Sequence, residues 1–208
     1  RPLIHEEGKP ASELSRKDEI FVSKSELISI AGGKLTGYRK MAERIVDLVA
    51  KKYLRRFAEE FKKTQTESIL LSGGKFEDFN EVKSYINLIY KRIIKDNFDE
   101  KDAQYLVYNY GRQTDVILKK YDELKTGTSL EKMIKAEVWF TIHYEMTCSP
   151  ADFFIRRTGR AYFNIESVYK NLSLVLTEFT MHLSWKKEIL NEKKEELNKA
   201  LELITSFN

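Results

Sequence analysis

One stretch constrains the fold more than any other: LISIAGGKLTGYRKMAERIVDLV, residues 27 to 49. The apolar, partly β-branched run ELISIAG stops at Gly32-Gly33, as a strand does on entering a tight turn. Beyond the turn, Tyr38, Met41, Ile45, Leu48 and Val49 recur at the spacing of one helix face, with Lys40, Glu43, Arg44 and Asp47 off it. This predicts a strand, a glycine turn and a helix extending through AKKYLRRFAEEFKK to about residue 63, with a short strand IFVS before it. Such a turn gathers free backbone N–H groups and the positive end of a helix dipole at one spot, and glycine lets a ligand approach the backbone. The expected ligand is anionic or electron-rich, with Lys34 adding a full charge. Pattern alone leaves open that the glycines only turn the chain and that Lys34 is solvated. A second turn, SILLSGGKF at 68 to 76, lacks the Leu-Thr continuation and reads as a connection.

Two nucleotide motifs fail here. A P-loop needs G-x-x-x-x-G-K-[ST], but Leu35 follows Lys34, and Ile28 stands where the first glycine would be. The fingerprint G-x-G-x-x-G is absent from the chain. A lone cysteine, Cys148, excludes an internal disulfide, and three dispersed histidines give no zinc pattern, so no metal is expected and a reducing cytoplasm is inferred. Thirty-six Lys+Arg against 32 Asp+Glu leave a net charge of only +4, and no basic stripe interleaves with aromatics, so nucleic acid is not an expected partner. No apolar run reaches the roughly 18 residues of a spanning helix. The basic helix end KKYLRRFAEEFKK suits an anionic membrane surface, but Glu59 and Glu60 dilute it and a solvated face weighs more. The opening Arg1-Pro2-Leu3-Ile4 reads like the interior of a longer protein.

Residues 64 to 80 change character and are taken as a connection between 1–63 and 81–208. The latter reads as helical throughout, giving an α+β chain overall: a strand-turn-helix piece of an α/β domain, then a mostly α-helical domain. The expected helices carry the stripe Val82, Ile86, Ile89, Tyr90, Ile93; a segment capped by Asn97 or Asp99 and stopped by Gly111; RQTDVILKKYDELKTG, ending at Gly127; a helix from Ser129 to Ser149-Pro150; a turn of helix stopped by Gly159; and a long pattern from 165 to 206, with a Glu195–Lys199 pair outside. His143, on a stripe with Trp139, Phe140, Ile142 and Met146, is expected in the core. Arg156, Arg157 and Arg160 are read as structural, making salt bridges between the helical part and the first part of the chain or capping a helix C-terminus.

RPLI, SELSRKDEIF, LISIAGGKLTGYRKMAERIVDLV and HYEMTCSPADFFIRRTG together resemble the C-terminal half of FAD-dependent glycerol-3-phosphate dehydrogenases and their relatives, the α-glycerophosphate oxidases. The likeness is densest from Ala31 to Glu43. It implies that the chain is a C-terminal portion whose main FAD site, general base and dinucleotide fingerprint lie outside it, and that alone it is inactive. It further implies oxidation of sn-glycerol 3-phosphate to dihydroxyacetone phosphate, with electrons passing to oxygen, forming hydrogen peroxide, or to a quinone. By the same resemblance Gly32, Gly33, Lys34, Leu35 and Thr36 would contact FAD, Lys34 would serve catalysis and lie near the substrate, and Arg1 would contact the substrate's phosphate. The helix N-terminus would face the flavin N1–C2=O edge, where hydride transfer leaves negative charge. A peripheral place on the inner face of the membrane and a homodimer are compatible with this reading. The rival class is a non-enzymatic helical module that binds a protein partner.

Overall fold

The computed structural model describes residues 18–32 and 34–206, and the chain divides into two units, Arg1–Ile69 and Leu70–Asn208. In the first, strands β1 (Asp18–Val22) and β2 (Ile28–Gly32) form an antiparallel hairpin in which Asp18 faces Gly32 and Ile20 faces Ile30. Period-2 alternation half-buries Ile28 and Ile30 and exposes Ser29 and Ala31. A one-turn 3-10 segment, Leu35–Gly37, leads into α1 (Tyr38–Phe57). Two ion pairs tie the hairpin to this helix, Arg44 to Asp18 and Lys52 to Glu26.

Helix α1 stops six residues before the expected end. Ala58 takes a left-handed conformation and its N–H closes on the Leu54 carbonyl at 2.8 Å. Phe61 then turns back so that its ring meets Tyr53 edge-on, 5.3 Å between centroids. A continued helix would carry residue 61 about 12 Å along the axis from residue 53, so this aromatic contact and a longer α1 exclude each other. The predicted apolar face is also narrower than its spacing suggests. Met41, Ile45 and Leu48 are half-buried, but Tyr38 and Val49 are exposed, because two strands cover only one side of the helix.

The second unit is all helical: α2 (Phe79–Ile93), α3 (Glu100–Tyr110), α4 (Thr114–Glu123), α5 (Ser129–Glu145), α6 (Arg160–Phe163), α7 (Ile165–Leu183) and α8 (Lys187–Thr205). The caps explain the starts. Asp78 accepts from the Glu81 N–H at the head of α2, and Asp99 with Asp102 forms a capping box on α3. On α5 the cap is Thr128, boxed with Glu131, one residue ahead of the expected Ser129. That helix ends at a left-handed Met146, which lets its own N–H and that of Thr147 turn back to the Thr141 carbonyl, three residues before Ser149. Helix α4 likewise stops at Leu124, short of Gly127. On α8, Lys193 holds Glu196 at 2.8 Å and also reaches Glu192, in place of the expected Glu195–Lys199 pair.

Helix α5 is buried on two sides and so joins two cores. Met133, Ala136 and Phe140 meet Ile86, Ile89, Leu106 and Ile117 of α2, α3 and α4. Ile134 and Val138 meet Phe153, Val168, Phe179, Leu197 and Leu201 on the other side. The segment Asp152–Arg157 is π-helical, and the Phe153 carbonyl accepts both the N–H (2.9 Å) and the hydroxyl (2.7 Å) of Thr158. This wider turn buries the consecutive Phe153 and Phe154 completely, which a regular helix face does less readily.

The second glycine turn is a structural joint. Gly73 accepts from the Arg112 N–H at 2.9 Å, beside Gly111 at φ 55°, ψ −135°, a conformation open essentially to glycine alone. A Cβ on Gly111 would lie 2.1 Å from the Gly73 carbonyl oxygen. Gly111→Ala should therefore destabilise the helical unit by about 2 kcal/mol or more, read as a lowered urea midpoint; an unchanged midpoint would refute the joint.

Candidate functional site

At the end of β2, Gly32 has φ 81° and Lys34 is extended, so the chain reverses within two residues of the strand. The expected direct entry into α1 is replaced by the 3-10 turn, closed by the Gly37 N–H on the Lys34 carbonyl at 2.9 Å. Among the described residues, neither the Leu35 nor the Thr36 N–H finds an acceptor, and α1 has neither a side-chain N-cap nor an acid in its first turn. These donors and the positive end of a 20-residue helix therefore lie within three residues of each other in the chain.

Charge reinforces this. Across residues 34 to 43 the chain carries Lys34, Arg39 and Lys40 against Glu43 alone. Glu43 is engaged by both Lys40 and Arg39 (3.1 Å), and the hydrogen bond from Lys40 holds its carboxyl below the usual range. Arg39 also donates to Thr66 Oγ1 at 3.2 Å. Lys34 is exposed.

Beside the turn lies an open, mainly apolar groove of about 780 Å³, walled by Ile30, Leu35, Tyr38, Met41, Ala42 and Ile45 with Gly32 and Lys34 at its end. Leu35 is 87% exposed and Tyr38 is exposed beside it, so this wall presents apolar surface to solvent. The structure thus brings Gly32, Lys34 and Leu35 onto one wall, while Thr36 is exposed but off it. Gly33 and Arg1 lie outside the described residues. The arrangement can hold a flat ligand against the apolar wall with an electron-rich edge toward the lysine and the backbone donors.

The helical unit contains a polar centre that the sequence reading missed. Glu137 is wholly buried; one carboxylate oxygen accepts from Tyr105 (2.8 Å) and Tyr110 (3.0 Å), the other from Arg160. Burial and the Glu137 charge push both phenols well above their ordinary range. Burial is the largest influence and works against the Arg160 charge, but Glu137 together with Tyr105 and Tyr110 outweighs it, so the pKa rises and the guanidinium stays ionised. The available signal was an acid amid the apolar run IKAEVWF, which on a helix buried all round demands a partner. Arg156 pairs with Asp152 and Arg157 with Glu145, so all three arginines form ion pairs inside the helical unit. His143, expected in the core, is exposed in the last turn of α5, its ring 5.3 Å edge-to-face from that of His182. Burial lowers the His182 pKa.

Residues 64–189 match the family model described as the C-terminal domain of alpha-glycerophosphate oxidase. The chain belongs to this family. Among relatives of this α-glycerophosphate oxidase family member, the aerobic glycerol-3-phosphate dehydrogenase of Bacillus subtilis (strain 168) is 42% identical over 204 residues, 97% of this chain and 37% of its own length. The enzyme of the same name from Staphylococcus saprophyticus is 38% identical over 208 residues, 98% of this chain and 36% of its own. A solved structure of the glycerol-3-phosphate dehydrogenase from Bacillus halodurans, complexed with FAD, superposes with a TM-score of 0.76 at 35% identity, over 88% of this chain and 37% of that one. The chain thus spans a little over a third of the length of the relatives it matches. No described helix is long and apolar enough to cross a membrane.

Proposed function

We propose that the chain is the C-terminal portion of an FAD-dependent enzyme that oxidises sn-glycerol 3-phosphate to dihydroxyacetone phosphate, and that its glycine-lysine turn closes on the flavin. The observation that carries this reading is the placement of Lys34, and of N–H groups that find no acceptor among the described residues, at the end of an apolar groove. The residues present fit the cofactor: an apolar wall would accept a planar ring, Gly32 carries no side chain to hold the ring off the backbone, and Lys34 would supply positive charge to an electron-rich edge. FAD bound there would accept a hydride from C2 of the substrate.

In this reading Gly32, Gly33, Lys34, Leu35 and Thr36 hold the cofactor edge, and Lys34 neutralises charge that develops there. Arg1 contacts the substrate phosphate, for which a guanidinium fork is well shaped. Residues 1–63 belong to the flavin side, 64–80 connect, and 81–208 form the helical domain. The proton acceptor and the dinucleotide fingerprint belong to the N-terminal part of the whole protein. The lengths of the relatives support this, and so does the absence of any buried side chain from α1. An exposed apolar groove in contact with a larger domain would lose its water.

The test is the visible spectrum of the full-length protein under anaerobic conditions. Glycerol 3-phosphate should bleach a flavin band, and an unbleached spectrum would overturn the reading. Oxygen admitted afterwards should return the band quickly with hydrogen peroxide if oxygen is the acceptor, and slowly, until a quinone is added, if it is not.

A further inference from the structure

The helical unit carries an open cavity of about 740 Å³ between the start of α3 and the segment from the π-helical turn to the start of α7. Four cations stand on its wall, Lys101, Arg156, Arg157 and Arg160, against one acid, Asp102. Asp102 is already engaged, since its carboxylate accepts the Asp99 N–H at 2.9 Å in the α3 cap. Arg160 is the anchored member, with a side chain only 13% exposed. Its Nη2 donates to Glu137, and its buried Nη1 finds no hydrogen-bond partner among the described residues. Its guanidinium stands 5.4 Å over the Tyr105 ring and 5.6 Å over the Phe153 ring, so this charge is fixed in place at the cavity.

The rim strengthens the case. Arg156 is held by Asp152, and Arg157 by both oxygens of Glu145, neither of which lies on the cavity wall. These acids cancel part of the positive field, but they also fix where the guanidinium groups stand. Each arginine has five N–H donors and uses only one or two on its acid, so donors remain for a ligand. Several planar forks and an ammonium around one hollow match a group with three or more acceptor oxygens better than a carboxylate with two.

We propose that this cavity is a phosphate-recognition site of the helical domain, taking a phosphate dianion that is either free or the head of a small phosphorylated molecule. Phosphate oxygens meet Arg156, Arg157 and Lys101, with the fixed Arg160 charge behind them. The site does not depend on the flavin reading, because none of its residues belongs to the glycine turn.

The test titrates the 208-residue chain with inorganic phosphate and, separately, with glycerol 3-phosphate, following both calorimetry and thermal unfolding against sodium chloride of matched ionic strength. Phosphate should raise the melting temperature by several degrees over chloride. The exposed pair Lys101→Gln/Arg156→Gln, which leaves the buried Arg160–Glu137 contact intact, should weaken binding at least tenfold. Equal binding of the two probes would assign the site to phosphate itself, and preference for the ester would assign it to a phosphorylated molecule; either supports the proposal. Equal effects of phosphate and chloride would overturn it. So would undiminished binding by the pair variant, or loss of binding in Lys34→Met, which would move the anion to the glycine turn.

Discussion

Replacing Glu137 by alanine should cost the helical unit roughly 3–5 kcal/mol, the usual range when one member of a buried ion pair is removed and the other stays behind unpaired. Three donors converge on this carboxylate: the hydroxyls of Tyr105 and Tyr110 and the Arg160 guanidinium. Without it, Arg160 keeps a charge that burial disfavours and that no other described acid replaces at hydrogen-bond distance. The two phenols lose their acceptor as well, and each unsatisfied buried donor adds about 1–3 kcal/mol at most. Glu137→Gln should cost nearly as much, because an amide restores volume but not charge. The informative comparison is Glu137→Leu/Arg160→Met/Tyr105→Phe/Tyr110→Phe, which removes donors and acceptor together and should recover most of the loss. Urea denaturation of the 208-residue chain reads all three. A loss below about 1 kcal/mol in Glu137→Ala would show that water or a rearranged side chain satisfies Arg160.

The same residue shows where sequence reading succeeds and where it stops. Periodicity marks α2 because only one face is buried: Ile86, Ile89 and Ile93 recur at helical spacing, with Lys83, Asn87 and Lys91 exposed off that face. Helix α5 has no such contrast, since Met133, Ala136 and Phe140 serve one core and Ile134 and Val138 another. An acid within it carries no periodic signal of its own, and its partners lie 23 to 32 residues away in sequence. Helix ends fail for a related reason. Ala58 and Met146 adopt left-handed conformations that neither residue favours, so no glycine announces the stop. At Met146 the stop sets up the turn to Ser149, whose hydroxyl caps the next helical segment through the Asp152 N–H at 3.1 Å. The candidate site was legible in its outline because glycine, lysine and a following apolar stripe are local. Its groove was not, because Ile30 and Ile45 come together only once the hairpin folds back on α1.

Lys34→Met in the full-length protein should slow anaerobic flavin bleaching by glycerol 3-phosphate by about a hundredfold, the scale seen when one preorganised group facing developing charge is removed. Methionine preserves length and apolar volume, so the groove should keep its shape and the flavin should still bind. In the free unit the lysine is exposed, and its field is screened by water. A charge is worth several-fold more once water is excluded, so the effect belongs to the whole protein, in which the apolar wall of Ile30, Leu35 and Met41 would be covered. Two readouts separate this role from simple damage to the fold. The flavin midpoint potential should fall in Lys34→Met, and Lys34→Arg should restore most of it while leaving substrate affinity nearly unchanged. A bleaching rate within twofold of wild type would leave the Leu35 and Thr36 N–H groups, which find no acceptor among the described residues, as the electrostatic element of the turn, because they stand just ahead of the positive end of α1 whatever side chain is at position 34.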